Sequence, residues 1–209
     1  MSDAFAARAS EWDANPVRAA MHRAFYELVL RTAEENGGLD GRSVLEFGCG
    51  TGALGLRLAG HGARLTFVDT SPAMLEVLRG KLELEGAPRA TVLEGDIARL
   101  SVGTASQDLA VTLMALHHVP DIVPMLARLR SLLRPGGLLL AGDLFTEDGS
   151  FHADGSAAHN GFDPEAMRAM CGEAGFAVRR LLPFHVLRRP DATGTMREYP
   201  LFFLAASPA

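Results

Sequence analysis

Three carboxylates and one glycine run carry the residue types that could do chemistry. Glu46, Asp69 and Asp96 each follow a short apolar stretch, and Glu46 opens EFGCGTG, where Gly48, Gly50 and Gly52 alternate with other residues. Glycine accepts positive φ and carries no Cβ, so this turn lets something approach the backbone closely. Two ligand classes need such an elbow. A dinucleotide sets its pyrophosphate on a helix N-terminus, and Gly50-x-Gly52-x-x-Gly55 satisfies that pattern. The match begins two residues after the turn has started, however, and the Glu46 charge would oppose a phosphate. An S-adenosyl sulfonium compound has no phosphate, and its ammonium group is favoured beside Glu46. Asp69 can then accept hydrogen bonds from both ribose hydroxyls, and Asp96 from an adenine amino group with Ile97 against the ring. Thr70, Ser71 and Met74 can line the other side of the base, and Cys49 lies inside the turn.

Proton chemistry has its own candidates. His117 and His118 follow the fourth expected strand, and histidine titrates in the range where a proton acceptor is useful at neutral pH. They are read as catalytic or as pocket wall. Asp143 ends the fifth strand and is expected at the same rim, as a base, a helix cap or a substrate hydrogen bond. His152 and His159 fall on a polar segment, 146–161. His152 is read as a solvated loop residue, and His159, within HNGFD, as a substrate contact alongside His118 and Trp12. The two cysteines, Cys49 and Cys171, are too few and too far apart for a disulfide framework or a zinc site, and no metal is expected.

These residues need a scaffold that brings strand ends together. Asn15-Pro16 starts a helix over 16–32 that Gly37-Gly38 stops. SVLEFG (43–48) reads as a strand, ALGLRLAGHG (53–62) as a helix, and ARLTFVDT (63–70) as a strand. Ser71-Pro72 caps the helix AMLEVLRGKLELEG. ATVLEGD (90–96) and QDLAVTLMAL (107–116) are strands, the latter apolar on both faces as in a central position. Asp121 caps a helix with one stripe from Ile122 to Leu133, and LLLAGDLF (138–145) is a fifth strand. Asp163-Pro164 opens a helix that Gly175 ends. FAVRRLLPFHVL and REYPLFFLAA form a final hairpin around 190–194. Alternation of strand and helix implies a parallel sheet covered on both faces, with ligands beyond the carboxyl ends of the strands.

The chain has 209 residues, enough for a single domain over 1–209, with a helical cap at 1–38 and a core at 43–209. A net charge of -5 argues against a nucleic-acid or anionic-membrane partner. No apolar run approaches a membrane span and the N-terminus has no signal-peptide core, so a cytoplasmic protein, monomer or homodimer, is expected.

The ordered set EFGCGTG, VDTSPAML, EGDI and LRPGGLLLAGD resembles the class I S-adenosylmethionine-dependent methyltransferases, in particular the small-molecule type that includes ubiquinone and menaquinone C-methyltransferases. The resemblance runs from about Val44 to Leu144. It implies a doubly wound, Rossmann-like α/β sheet of seven strands in the order 3-2-1-4-5-7-6, the last antiparallel, with an N-terminal helical cap. It implies S-adenosyl-L-methionine as cofactor, bound by Glu46, Gly48, Gly50, Asp69, Asp96 and Ile97. Cys49, Thr70, Met74 and Leu113, which lies within the fourth strand, complete the expected cofactor set. The implied reaction moves a methyl group to O, N or C of a small molecule. An NAD(P)-dependent dehydrogenase and a non-catalytic S-adenosylmethionine-binding protein are the alternatives.

Overall fold

The computed structural model describes residues 6–85, 90–191 and 193–209. Asp3 of the expected cap, Gly86 as a helix end and Ala192 of the hairpin turn lie outside them. A 3₁₀ segment, Ala6–Ala14, leads into α1, Pro16–Glu34. Asn15 caps α1, its Oδ1 accepting from the N–H groups of Val17 and Arg18 at 3.0 and 3.2 Å. Then follow β1 Ser43–Phe47, α2 Gly55–Ala59, β2 Arg64–Asp69, α3 Pro72–Glu85, β3 Ala90–Glu94 and β4 Gln107–Leu113. After a 3₁₀ turn at Leu116–His118 come α4 Ile122–Leu132, β5 Leu133–Leu144, α5 Pro164–Glu173, β6 Phe176–Pro190 and β7 Met196–Pro208.

The seven strands form one sheet in the order β3-β2-β1-β4-β5-β7-β6, with β7 antiparallel to both its neighbours. This is the arrangement the resemblance implies. The sheet is packed on both sides, and the strand period of two shows it directly. Along β7, Leu201, Phe203 and Ala205 join one core with Phe25 and Val29 of α1, Leu58 of α2, and Leu75 and Leu78 of α3. Phe202, Leu204 and Ala206 join the other, with Leu126 and Leu129 of α4 and Met167 and Cys171 of α5. Strand order reverses between β1 and β4, which pair in parallel at Val44–Leu109, Leu45–Ala110 and Glu46–Val111. That switch point opens a crevice at the strand ends.

Three local expectations change. Helix α2 has only five residues, because the turn continues through Leu54 and Gly52 holds a φ of +73°. Strand β5 starts at Leu133 rather than Leu138, since Leu133 pairs with Gln107 of β4 across an irregularity in the ladder. Asp121 occupies the N-cap of α4 but makes no side-chain capping bond, and it lies on the cavity wall instead. Ser71 and Asp163 do cap: Ser71 Oγ accepts from Met74 N–H at 3.2 Å, and Asp163 Oδ1 from Glu165 and Ala166 at 2.9 and 3.0 Å.

Candidate active site

A cavity of about 860 Å³ occupies the crevice, between the strand ends, the N-terminal segment and the tip of β6. That volume suits a cofactor-sized ligand together with part of a second molecule.

One end is built by β1, β2 and β3. Glu46, 3% exposed, leaves β1 with its Oε2 accepting the N–H of Gly55 at 2.9 Å. Burial raises its pKa to about 8; the Asp69 charge adds to the rise, while the Gly55 hydrogen bond and Lys81 pull the other way. The carboxyl therefore keeps its proton at neutral pH until a cation arrives to favour the charged form. The glycines divide their tasks. At Gly48, with φ +63°, a Cβ would lie 2.4 Å from the Ala115 Cβ, so this position is closed by packing. At Gly50, with φ +52°, a Cβ would meet only Trp12 Nε1 and Met74 Sδ, at 3.9 and 4.0 Å, in the cavity itself. Gly52 abuts Leu78 and Phe67, and Gly55 abuts Phe67 and Glu46. Gly50 is thus the bare stretch of backbone that faces a ligand, and Gly52 serves helix packing.

Asp69 tightens this turn, its Oδ2 accepting from Gly50 N–H at 2.7 Å and its Oδ1 from Ser71 N–H at 2.9 Å. Asp69, Thr70, Met74, Asp96 and Leu113 all stand on the cavity wall, as do Glu46, Gly48, Cys49 and Gly50. Asp96 is fixed by accepting the Ala98 N–H at 2.9 Å. Ile97 is placed differently from expectation. It has no exposed surface and packs under α4 in the core, and Ala98 faces the cavity in its stead. Cys49 is a buried thiol whose pKa burial pushes well above its usual value, with Glu46 and Asp69 adding to the rise. It is inert as a nucleophile.

The N-terminal segment roofs this end. Asp13 accepts from Thr51 Oγ1 at 2.7 Å and forms an ion pair with Lys81, whose Nζ also donates to Thr51 O at 2.8 Å. Burial alone would raise the Asp13 pKa, but its bonds to Lys81 and Thr51 outweigh it and hold the acid below its usual range. The latch joins the roof to both the glycine turn and α3. Trp12 lies on the cavity wall with the Arg18 guanidinium 3.7 Å from its ring centroid. Behind them His22, on α1, also reaches the wall. Its Nδ1 is buried without a protein partner among the described residues, and burial lowers its pKa to about 4.

The opposite end is a cluster of imidazoles. His117, 1% exposed, sits in the 3₁₀ turn after β4. Its Nδ1 lies 2.6 Å from Asp143 Oδ1, and its backbone N–H donates to Asp143 Oδ2 at 3.2 Å. Asp143 itself is fully buried, so it stands behind His117 rather than at the rim, a correction to the expected placement. With a carboxylate at Nδ1, that nitrogen carries the hydrogen. His118 and His152 join His117 on the cavity wall. His118 has its pKa lowered by burial and by the neighbouring His117; His152 is lowered to about 4 by burial, with His117 and His118 adding to it. His159 is elsewhere. Its Nε2 lies 2.9 Å from Val119 O and its N–H donates to His117 O at 3.0 Å, so it fastens the 146–161 segment to the 3₁₀ turn and is absent from the cavity lining.

Three features were missed by sequence reasoning. His152 enters the cluster because Phe151, beside it, is 8% exposed and anchored by Tyr199 with ring centroids 5.0 Å apart. A lone aromatic inside a polar loop was the available signal. His22 carried none, being one polar residue on a helix. Met114, next to the cluster on the wall, holds a φ of +57°, which a side chain of that size rarely adopts and which sequence does not announce.

A family model described as a methyltransferase domain matches residues 44–137, the stretch from β1 through α4 into β5. Over that stretch the chain is similar to methyltransferases. It resembles the ubiquinone biosynthesis O-methyltransferase of Methylocella silvestris, 37% identical over 109 residues that make up 51% of this chain and 41% of that one. It also resembles the malonyl-[acyl-carrier protein] O-methyltransferase of Serratia marcescens, 28% identical over 205 residues, 95% of this chain and 75% of that one. A crystal structure of an S-adenosylmethionine-dependent methyltransferase from Aquifex aeolicus shares the fold, with a TM-score of 0.71 at 18% identity and 96% of both chains covered. The chain spans about half the length of several of the curated relatives it matches. It shares its fold with that methyltransferase structure, and in sequence it is similar to the methyltransferases named above. The matched residues include the glycine turn, the three acids and both histidines of the 3₁₀ turn. The Trp12 roof and His152 come from outside the matched residues. No described helix is long and apolar enough to cross a membrane.

Proposed function

We propose that the protein transfers a methyl group from S-adenosyl-L-methionine to a small-molecule acceptor by in-line displacement. One observation carries this: a single cavity has the carboxylates Glu46, Asp69 and Asp96 around a bare glycine elbow at one end and three imidazoles at the other. In this reading Glu46 meets the cofactor's ammonium, Asp69 the ribose and Asp96 the adenine, with Gly50 giving close access to the backbone. The His22 Nδ1, buried on the same wall without a protein partner among the described residues, takes a cofactor oxygen. Three acids around the elbow count against a pyrophosphate and hence against a nicotinamide dinucleotide.

The acceptor enters between the Trp12 roof and the histidine wall. The cofactor supplies the leaving group, so the protein's task is chiefly alignment of nucleophile, methyl and sulfur, worth roughly 7–11 kcal/mol when complete. An acceptor that must lose a proton, such as a phenol or an acidic carbon, finds the cavity-facing imidazoles. A binding protein with no reaction to run has no use for a histidine oriented by a buried acid. The relatives act on small molecules or carrier-bound acyl groups by name, which supports a small acceptor. The test is transfer of labelled methyl into a metabolite extract, with parallel titrations of S-adenosylhomocysteine and NAD. Labelled product together with S-adenosylhomocysteine binding is expected. Binding of NAD alone, or cofactor binding with no labelled product, would overturn it.

A further inference from the structure

The histidine cluster holds more than one proton acceptor requires. One ring nitrogen from each of His117, His118 and His152 lies within 4.8 Å of the other two. The tautomers follow from the outer partners. His117 Nδ1 faces the Asp143 carboxylate at 2.6 Å and must carry hydrogen toward it. His118 Nδ1 faces the Ser156 carbonyl oxygen at 3.1 Å, again an acceptor only. Ser156 Oγ donates to Asp154 Oδ1 at 2.7 Å, so toward His152 Nδ1, 3.0 Å away, that hydroxyl accepts. All three rings are therefore hydrogen-bearing at Nδ1. The Nε2 atoms of His117 and His152 face each other at 3.1 Å, so the two rings must share either a proton or a metal ion there.

We propose that His117, His118 and His152 form a binding site for a divalent first-row metal ion of the zinc class, with its open coordination position facing the cavity. Three neutral imidazoles are a donor set that zinc accepts, and each ring nitrogen opposite the metal is expected to donate to an oxygen, as it does in all three rings here. Bonds of about 2.0–2.1 Å in tetrahedral geometry would put ligand nitrogens roughly 3.3 Å apart, close to the spacing of the His117–His152 pair. The expectation of no metal looked only at cysteines, and these imidazoles come from two separate segments. Because all three rings line the cavity, a hydroxyl or carbonyl oxygen of the acceptor can take the fourth position. A bound hydroxyl ionises at lower pH and gives its proton to solvent water. The inference stands on ring geometry and does not depend on the methyl-transfer reading.

The test uses the full chain without a polyhistidine tag, stripped by chelator and titrated with Zn²⁺ in competition with a chromophoric chelator. A parallel Co²⁺ titration reads coordination from the visible spectrum. One equivalent of Zn²⁺ and an intense tetrahedral Co²⁺ spectrum are expected. His152→Ala, on a half-buried loop ring, should weaken Zn²⁺ at least about a hundredfold, and Ser156→Ala about tenfold through loss of the outer hydrogen bond. S-adenosylhomocysteine affinity measured on the same samples reports whether the variants remain folded and whether the cofactor reading holds independently. Absence of saturable Zn²⁺ binding, or equal Zn²⁺ affinity in the parent and His152→Ala while S-adenosylhomocysteine still binds, overturns the metal site and leaves the cofactor reading intact.

Discussion

Glu46 should make cofactor binding release a proton. Without ligand, the buried carboxyl has a pKa of about 8, so roughly nine molecules in ten hold it protonated at pH 7. An ammonium brought against it favours the charged form and drives the proton off. Gly55 N–H and Lys81 already favour the anion, and Asp69 opposes it. S-adenosylhomocysteine titrated into the protein at pH 7 should therefore expel close to one proton. Calorimetry in two buffers of different ionisation enthalpy, Tris and phosphate, reads this as a difference in observed heat. Affinity should rise roughly tenfold from pH 6 to 7 as the ionised fraction of Glu46 grows. It should flatten near pH 8 and then fall as the ligand's own amino group loses its charge. Glu46→Gln keeps an oxygen for Gly55 but cannot titrate. Its heat should be independent of buffer and its affinity at least tenfold weaker.

The same substitution has an opposite effect on the empty protein. A carboxyl whose folded pKa is raised from 4.5 to about 8 gives its full stability below pH 4.5 and loses it as pH climbs through 8. At pH 7 the loss is about 3 kcal/mol, and glutamine escapes it. Glu46→Gln should thus melt higher than the parent at pH 7 to 8 and show no such advantage at pH 4. Equal heats in both buffers for the parent, with normal binding by Glu46→Gln, would refute the ammonium contact and the buried-acid account together.

Two further substitutions separate folding from function. Gly48→Ala combines positive φ with a collision against Ala115 and should lower stability by more than about 2 kcal/mol in a denaturant titration. Gly50→Ala meets no close atom, so it should cost only about 1 kcal/mol yet weaken S-adenosylhomocysteine at least tenfold. A comparable loss of stability in both would contradict the division of tasks. Asp143→Asn removes the charge that fixes the His117 tautomer. Turnover should fall at least about a hundredfold with S-adenosylhomocysteine affinity unchanged, and full turnover would show that His117 orientation is immaterial.

The sheet was legible in the sequence because its signals are local. Each of β1, β2 and β3 is a short apolar run closed by an acid or a glycine, and the helix after β2 has its own start signal at Ser71-Pro72. Alternation then fixes parallel pairing. That the three acids share one cavity was legible for the same reason, since Glu46, Asp69 and Asp96 lie at or just beyond the strand tips that the fold gathers. What failed was whatever depends on side-chain direction. Ile97 follows Asp96 and was expected on the same wall, yet it turns into the core under α4 and leaves the surface to Ala98. Asp143 ends a strand beside the cavity but points behind His117. Nothing in an apolar run announces which of two successive residues faces the ligand.

The histidine end of the cavity is illegible for a deeper reason: its parts are distant in sequence and each is unremarkable alone. His117 and Asp143 are 26 residues apart, and His117 and His152 are 35 apart. What joins them is the anchoring of a polar loop. Ser150 Oγ lies 2.9 Å from Tyr199 OH, Phe151 N–H donates to Glu147 at 3.1 Å, and the N–H groups of Ala158 and His159 both bind the His117 carbonyl, at 2.9 and 3.0 Å. These bonds hold His152 against His117 from both sides of the loop. A solvated loop would leave that ring free to turn away, and ordering a segment costs about 1–2 kcal/mol per residue in backbone entropy. The loop's own hydrogen bonds and the Phe151–Tyr199 contact work against that cost, and a metal ion shared by the three imidazoles would add to them.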